Sequence, residues 1–180
     1  MSDVNDVKEW VETIREDIEA LKAVLDSPGT DGEAKKFAAA GLNYLVARMD
    51  LVPDWEESIG MLDDAMVIRL LADLASQCGL GDDLSATDVA ALGRLSNEAD
   101  AIEDVIGVAL EARLRTYCCR LKDDSVRGRS PIQIATDPAV RNALYDEVEA
   151  ELLRVPPSPF ADPEPLIAKF KSYLHHKLDQ

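Results

Sequence analysis

The segment that decides the fold is Ala39–Ala72, which reads AAGLNYLVARMDLVPDWEESIGMLDDAMVIRLLA. Two stretches of apolar residues with helical spacing lie on either side of a short acidic connection, Asp50–Asp54. Pro53 cannot continue a helix, because it has no amide hydrogen and its ring clashes with the preceding turn. The segment therefore predicts two packed helices, over about 33–49 and 63–77, joined by a tight corner.

Helix capping accounts for most of the polar residues of this corner. Asp54, with Glu57 three residues later, matches a capping box. Gly60 is expected to reverse the chain. Asp63 is then expected to cap the second helix, where its charge suits the helix dipole.

The same residues resemble the pattern of the YkvA-like bacterial family, domain of unknown function 1232. That pattern is an apolar helix with a tyrosine, then PxDLIPDxIPxxGxLDD, then a second apolar helix. The matching residues are Tyr44, Asp50, Leu51, Pro53, Asp54, Gly60, Leu62, Asp63 and Asp64. Arg48 replaces one proline of the pattern, and Trp55–Ser58 replaces the stretch that holds another. The resemblance implies a helical hairpin and carries no established activity.

Four carboxylates make the corner the first candidate site: Asp50, Asp54, Asp63 and Asp64. Clustered carboxylates without His or Cys suit a hard cation such as Mg²⁺ or Ca²⁺. Their mutual repulsion can also raise the pKa of one carboxyl and make it a general acid or base. We favour a structural role in helix capping, with metal binding and catalysis as alternatives, since the capping pattern explains the same residues.

A basic run makes the second candidate site: Arg113, Arg115, Arg120, Lys122, Arg127 and Arg129. Such a run can hold a phosphate or a nucleic-acid strand. However, Asp123 and Asp124 interrupt it, and no glycine-rich phosphate loop accompanies it. We therefore expect these side chains to pair with the protein's own acidic groups or to face solvent.

Composition limits the class of protein. Of 180 residues, 47% are hydrophobic and only 5% aromatic, which favours closely packed helices over sheets. The net charge of −16, most of it in residues 1–100, argues against binding to nucleic acid or to anionic lipid. Three cysteines predict neither a disulfide framework nor a zinc site. Because no signal segment or membrane span is evident, we expect a cytoplasmic protein.

The first segment, residues 1–32, begins with one predicted helix over about 3–26. Its apolar residues alternate at spacings of three and four: Val4, Val7, Val11, Ile14, Ile18, Leu21 and Leu25. We expect this seam to pack within its own domain, and the alternative is a dimeric coiled coil.

The last segment, residues 79–180, is predicted to pack on the same core as the hairpin of residues 33–78. Helices are expected over about 86–96 and 98–122, or as one long helix because Ser96-Asn97 is only a weak break, and after Asp137-Pro138 and Asp162-Pro163. Residues 123–136 read as a loop, anchored by a short strand-like Ile132–Ile134 segment, and Pro156–Pro159 as an extended linker. The chain is therefore predicted to be an all-α, single-domain bundle of about six or seven helices.

For function, we expect an interaction or scaffold module that binds a protein partner or itself, with no catalytic residue assigned. One alternative is a metal-dependent activity at the four-aspartate corner, using Mg²⁺ or Ca²⁺. The other is an acidic surface that mimics nucleic acid and occupies a basic DNA-binding protein.

Overall fold

A computed structural model describes residues 4–47, 51–52, 57–155 and 162–179. Within these ranges the regular structure is helical, and the predicted all-α bundle is confirmed. The described helices are α1 (Val4–Glu12), α2 (Ile14–Asp26), α3 (Gly32–Val46), α4 (Glu57–Cys78), α5 (Ala86–Ile106), α6 (Val108–Leu121), α7 (Pro131–Thr136), α8 (Pro138–Leu152) and α9 (Glu164–Leu178). They outnumber the expected six or seven because one predicted helix is divided and one predicted loop is helical.

The N-terminal seam is buried inside the chain itself, as expected. Val7, Val11 and Ile14 on α1 and α2 are at most 3% exposed, and Ile18, Leu21 and Leu25 are fully buried. The predicted single helix is wrong at Thr13, which separates α1 from α2. The Thr13 hydroxyl lies 3.4 Å from the Trp10 carbonyl and also accepts a bond from the Arg69 guanidinium, so the break serves a tertiary contact.

The pair α3 and α4 forms the centre of the bundle. Every side chain from Ala65 to Ala72 is fully buried, because α4 packs against α3 on one side and against α1, α5, α6 and α9 on others. A helix that is apolar on nearly all faces is stable only in such a central position. Among the described helices, none combines the length and the hydropathy that a membrane crossing requires.

The break between the next two helices lies at Gly107, not at Ser96-Asn97 as expected. Gly107 ends α5 with a positive φ of 92°, a conformation that favours glycine. Its amide donates to the Glu103 carbonyl at 2.8 Å, and its own carbonyl accepts from the amide of Glu111 at 3.0 Å. Helix α5 continues through Ser96 and Asn97, because a serine and an asparagine weaken a helix without ending it.

The predicted loop over 123–136 contains helix α7. Ser130 and Gln133 form a reciprocal capping box, and Pro131 occupies the first turn. Ile134 is buried but Ile132 is 51% exposed, so only one of the two expected anchors enters the core, and the segment is not strand-like. The loop prediction for this sequence is wrong because the apolar pattern of a six-residue helix is too short to show helical periodicity.

The remaining helix starts agree with the sequence. Asp137 Oδ1 accepts from the amide of Ala139 at 2.9 Å and opens α8. Asp162 accepts from the amide of Glu164 at 3.1 Å and opens α9. The linker Pro156–Pro159 lies outside the described residues.

Packing of the seam within the chain has a direct test. Replacing Ile14 and Ile18 together by aspartate should abolish cooperative unfolding in urea, because two carboxylates would enter the core without partners. Arg15→Asp is the matched control, since it puts the same new group on the exposed side of α2. If the double variant stays folded and light scattering gives it a lower mass than the wild type, the seam joins two copies of the chain.

Candidate functional site

The tyrosine and one aspartate of the family pattern form a buried polar pair. The Tyr44 hydroxyl on α3 donates to Asp63 Oδ2 on α4 at 2.6 Å. The backbone amide of Leu51 donates to the same hydroxyl oxygen at 3.3 Å. The tyrosine therefore joins both central helices and the chain between them through its hydroxyl.

Burial changes the acidity of this aspartate. Desolvation raises the pKa of Asp63 from 3.8 to about 7, against the opposing effects of the Tyr44 hydroxyl and the nearby Val52 amide. Among the described residues, Asp63 Oδ1 has no partner that meets hydrogen-bond geometry. Asp63 is thus a carboxyl whose protonation changes near neutral pH inside the core.

Two expectations about the corner are wrong. Helix α4 already begins at Glu57, so Asp63 lies in its interior and does not cap it. Gly60 lies in the same helix and does not reverse the chain, because a single glycine weakens a helix by only about 1 kcal/mol. Asp50, Pro53 and Asp54 lie outside the described residues.

The described part of the corner is a poor cation site. Asp63 is fully buried, bonded to tyrosine and easily protonated, whereas a hard cation needs ionised, accessible oxygens. Asp64 is only half-buried and has its own interaction. Across the described residues, no group of three or more His, Cys, Asp or Glu side chains is placed to hold a metal ion.

The basic run is largely occupied by acidic partners. Arg115 binds Asp73 and Glu111, each at 2.7 Å. Arg127 and Arg129 both bind Glu147, and their hydrogen bonds lower the pKa of that carboxyl. The other pairs are Lys122 with Glu33 and Arg113 with Asp179, while Arg120 is exposed. The run therefore does not form a single cationic patch on the surface.

A second polar centre, which the sequence did not predict, surrounds Arg69 on α4. This side chain is fully buried. Its guanidinium binds Asp17 on α2 at 3.1 Å and Glu98 on α5 at 2.8 Å, and donates to the Thr13 hydroxyl at 3.0 Å. It also donates to the Ala65 carbonyl at 3.0 Å, so each of its nitrogens has a partner.

Arg94 completes this centre from α5. It binds Asp17 at 2.6 Å and Glu98 at 3.0 Å, so two arginines and two carboxylates alternate and their charges cancel. Trp10 covers the cluster, with its ring centroid 5.3 Å from the Arg69 guanidinium carbon. We call Asp17, Arg69, Arg94 and Glu98 the ionic cluster.

An open groove lies directly over the ionic cluster, between α1 and α5. Its volume is about 350 Å³. Asp6, Glu9 and Trp10 line it from α1, and Asn97, Glu98 and Ala101 line it from α5, with Arg94 at its base. Because Arg94 is neutralised within the ionic cluster, the walls of this α1–α5 groove keep a negative charge.

Compared with models of known protein families, with curated proteins and with solved structures, the chain matches none. The likeness to the YkvA-like family therefore stays a prediction that rests on the motif residues.

The ionic cluster had a weak signal in the sequence. Arg69 stands alone in the apolar stretch MVIRLLA, and a charge in a helix that is buried all round must be paired. Its partners Asp17 and Glu98 are 52 and 29 positions away in the sequence. Helical periodicity gives no information about contacts at such separations.

The buried aspartate should make stability depend on pH. Because the folded pKa of about 7 lies above 3.8, the native state holds an extra proton between these values. Stability therefore falls as the pH rises through that interval and levels off above it. Between about pH 5 and pH 8 we expect Asp63 to contribute a loss of about 2–3 kcal/mol.

Urea denaturation of wild type and Asp63→Asn at several pH values measures this contribution as the difference between the two proteins. The asparagine can still accept from Tyr44, so the comparison isolates the ionisation. Parallel pH profiles for the two proteins would contradict the assignment.

The ionic cluster should behave as a unit. Arg69→Met should cost about 3–5 kcal/mol of unfolding free energy, because it leaves buried Asp17 with one arginine fewer. Adding Asp17→Leu should recover part of this loss in the same denaturation experiment. Arg154→Met is the control, since Arg154 forms an exposed pair with Glu151 and should cost at most about 1 kcal/mol. A double variant no more stable than Arg69→Met would contradict the coupling.

Proposed function

We propose that this protein is an acidic helical binding module that holds a lysine- or arginine-rich segment of a protein partner in the α1–α5 groove. The observation that carries the proposal is the distribution of charge. Acidic residues number 35 against 19 lysines and arginines, and the positive groups are mostly paired inside the molecule.

Most of the lysines and arginines among the described residues form ion pairs with the chain's own carboxylates. The lysines and arginines that form ion pairs with the chain's own carboxylates are Lys8, Arg15, Lys22, Lys36, Arg69, Arg94, Arg113, Arg115, Lys122, Arg127, Arg129, Arg141 and Arg154. The unbalanced charge is therefore negative, and a cationic partner is attracted over most of the surface.

The groove gives this attraction a location. A lysine or arginine side chain can lay its methylene stem along Trp10 and Ala101 and place its charged end near Glu9. The neighbouring face of α5 adds exposed Asp100, Glu103 and Asp104, which extend the negative field beyond the groove. Since Arg94 ties α5 to Asp17 and Trp10 of α1 lies over Arg69 of the same cluster, both walls are held in place before a partner arrives.

The metal-dependent alternative is less well supported. Of the two described aspartates of the corner, the buried Asp63 is engaged with Tyr44, and no described acidic cluster has the arrangement of a metal site. The nucleic-acid mimic differs from our proposal only in the partner, which would be a DNA-binding protein. If a DNA duplex competed with this protein for binding to such a partner, the result would support the mimic.

Binding is tested with a fluorescein-labelled peptide of eight alternating arginine and alanine residues, measured by fluorescence anisotropy. Wild type should bind at low salt and release the peptide as salt is added. Glu9→Lys, in the groove, should weaken binding about ten-fold more than Glu103→Lys, which makes the same charge change on another face of α5.

If the two variants weaken peptide binding equally, the groove is not the binding site. The peptide would then be held only by the general attraction between its positive charge and the acidic surface. Absence of binding by wild type at low salt would contradict the proposed function itself.

A further inference from the structure

Helix α9 carries a group of basic residues toward its C-terminal end. Residues 169–177 read KFKSYLHHK and contain three lysines, two histidines and no acidic side chain. Ile167, Phe170 and Leu174 hold the helix against the core and are at most 8% exposed. Because these apolar residues occupy the inner face of α9, the basic residues lie on its other faces.

Two of these lysines are not neutralised within the described part of the chain. Lys171 is half-buried and Lys177 is exposed, and neither forms an ion pair with a described carboxylate. The acidic residue that follows them, Asp179, is bound by Arg113 on α6, and its Oδ2 lies 3.7 Å from His175 Nδ1. The positive charge of the two lysines is therefore available to a group outside the chain.

The exposed face of α9 allows another surface to approach closely. Ala168 and Ser172, one turn apart, are small and exposed. The Ser172 hydroxyl donates to the Ala168 carbonyl at 3.2 Å, so it needs no other acceptor. Lys171 lies beside this strip, and Lys177 lies about 9 Å further along the helix axis. A surface that contacts the strip therefore meets positive charge at two points along the helix.

The same chain also presents the acidic counterpart of this face. Asp6 and Glu9 line the α1–α5 groove, and exposed Asp100 and Asp104 continue its negative charge along α5. The residues that line the groove come from α1 and α5, so α9 does not occupy the groove of its own molecule. Because buried residues fix α9 in the bundle, its lysines reach such a groove on another molecule.

We propose that the α1–α5 groove binds α9 of a second copy of the chain, so that copies join head to tail. The inference rests on the proposed function, because it names the chain itself as the source of the cationic segment. Such a contact uses two different surfaces, and each molecule at the end of an assembly keeps one of them unoccupied. Copies therefore form open chains or rings, and not closed two-fold dimers.

The net charge of −16 gives this contact a characteristic dependence on salt. At about 0.01 M salt the screening length is about 30 Å, so the surplus negative charges of two whole molecules repel each other. At about 0.15 M it is about 8 Å, which screens this repulsion but leaves the close contacts between lysine and carboxylate. At about 1 M it is about 3 Å, and these contacts also weaken. Association should therefore be strongest near 0.15 M, about the physiological value.

Sedimentation equilibrium of the full chain, from about 0.01 to about 1 mM protein, measures this association. We expect the average mass to rise with concentration, with a Kd of about 0.1 mM at about 0.15 M salt, because the contact consists mainly of a few exposed ion pairs. The rise should be smaller at both lower and higher salt. An average mass that stays at that of one chain under all these conditions would overturn the proposal.

Charge reversals locate the contact. Lys171→Glu/Lys177→Glu on α9 and Glu9→Lys in the groove should each leave the chain monomeric at about 0.1 mM. Arg15→Glu/Arg154→Glu is the matched control, because it makes the same change in net charge as the α9 variant at two exposed arginines elsewhere. This control should associate as wild type does. Equal loss of association in the control and the α9 variant would overturn the assignment.

Mixing the two variants tests the head-to-tail arrangement. Glu9→Lys keeps an intact α9, and Lys171→Glu/Lys177→Glu keeps an intact groove. An equimolar mixture should therefore form pairs and stop at twice the mass of one chain. A mixture that stays monomeric would contradict the arrangement. Because Lys171 is half-buried, Lys177→Glu alone is a milder variant, and it should weaken association several-fold without a change in helicity.

The arginine and alanine peptide separates this proposal from the proposed function. If wild type binds the peptide but stays monomeric, the head-to-tail contact is overturned and the groove has another partner. If wild type associates, saturating peptide should dissociate it, because both ligands use the same groove. Association that persists with saturating peptide would overturn the groove as the binding site of α9. Failure to bind the peptide at low salt contradicts the proposed function, whatever the sedimentation result.

Discussion

The structure depends on one buried ion, the guanidinium of Arg69 in the middle of α4. A buried charge costs several kcal/mol unless its partners are placed with good geometry. Asp17 on α2, Glu98 on α5 and the Thr13 hydroxyl at the α1–α2 junction provide that geometry. The requirement for these contacts defines how α1, α2 and α5 sit around α4, in a way that apolar packing alone does not.

The same constraint explains the interruption of the first helix. Thr13 must turn its hydroxyl toward Arg69, and its backbone leaves ideal helical geometry there, with φ −89° and ψ 0°. Thr13 separates α1 from α2, and Trp10 on α1 both lies over the Arg69 guanidinium and lines the α1–α5 groove. Core electrostatics and the proposed binding surface are therefore linked through one residue.

The two halves of the bundle use polar groups differently. On the side of the ionic cluster, opposite charges are balanced within the core, and the acidic surplus faces solvent. On the side of Tyr44, the described carboxyl of Asp63 is buried without a cation, and burial raises its pKa. Asn43, one residue before Tyr44, is also buried, and among the described residues its Oδ1 has no hydrogen-bond partner. Incomplete pairing in a packed core is unusual, because a buried polar group without a partner costs free energy.

Local sequence patterns were enough to predict the helical class, the central α3–α4 pair, the buried face of the first segment and the starts of α8 and α9. Each depends on residues close together in the chain: apolar spacing, or a proline or aspartate beside the helix it opens. Short-range patterns did not reveal α7, and they placed Asp63 at a helix end although it lies inside α4.

The contacts of the polar residues depend on how distant helices pack together. Asp63 faces Tyr44 because α3 and α4 pack side by side, and Arg69 meets Asp17 and Glu98 because α2 and α5 lie against the same helix. The α1–α5 groove likewise forms between elements distant in sequence. The physical reason is that periodicity reports which face of a helix is apolar, whereas the partner of a buried charge is set by the packing of whole helices.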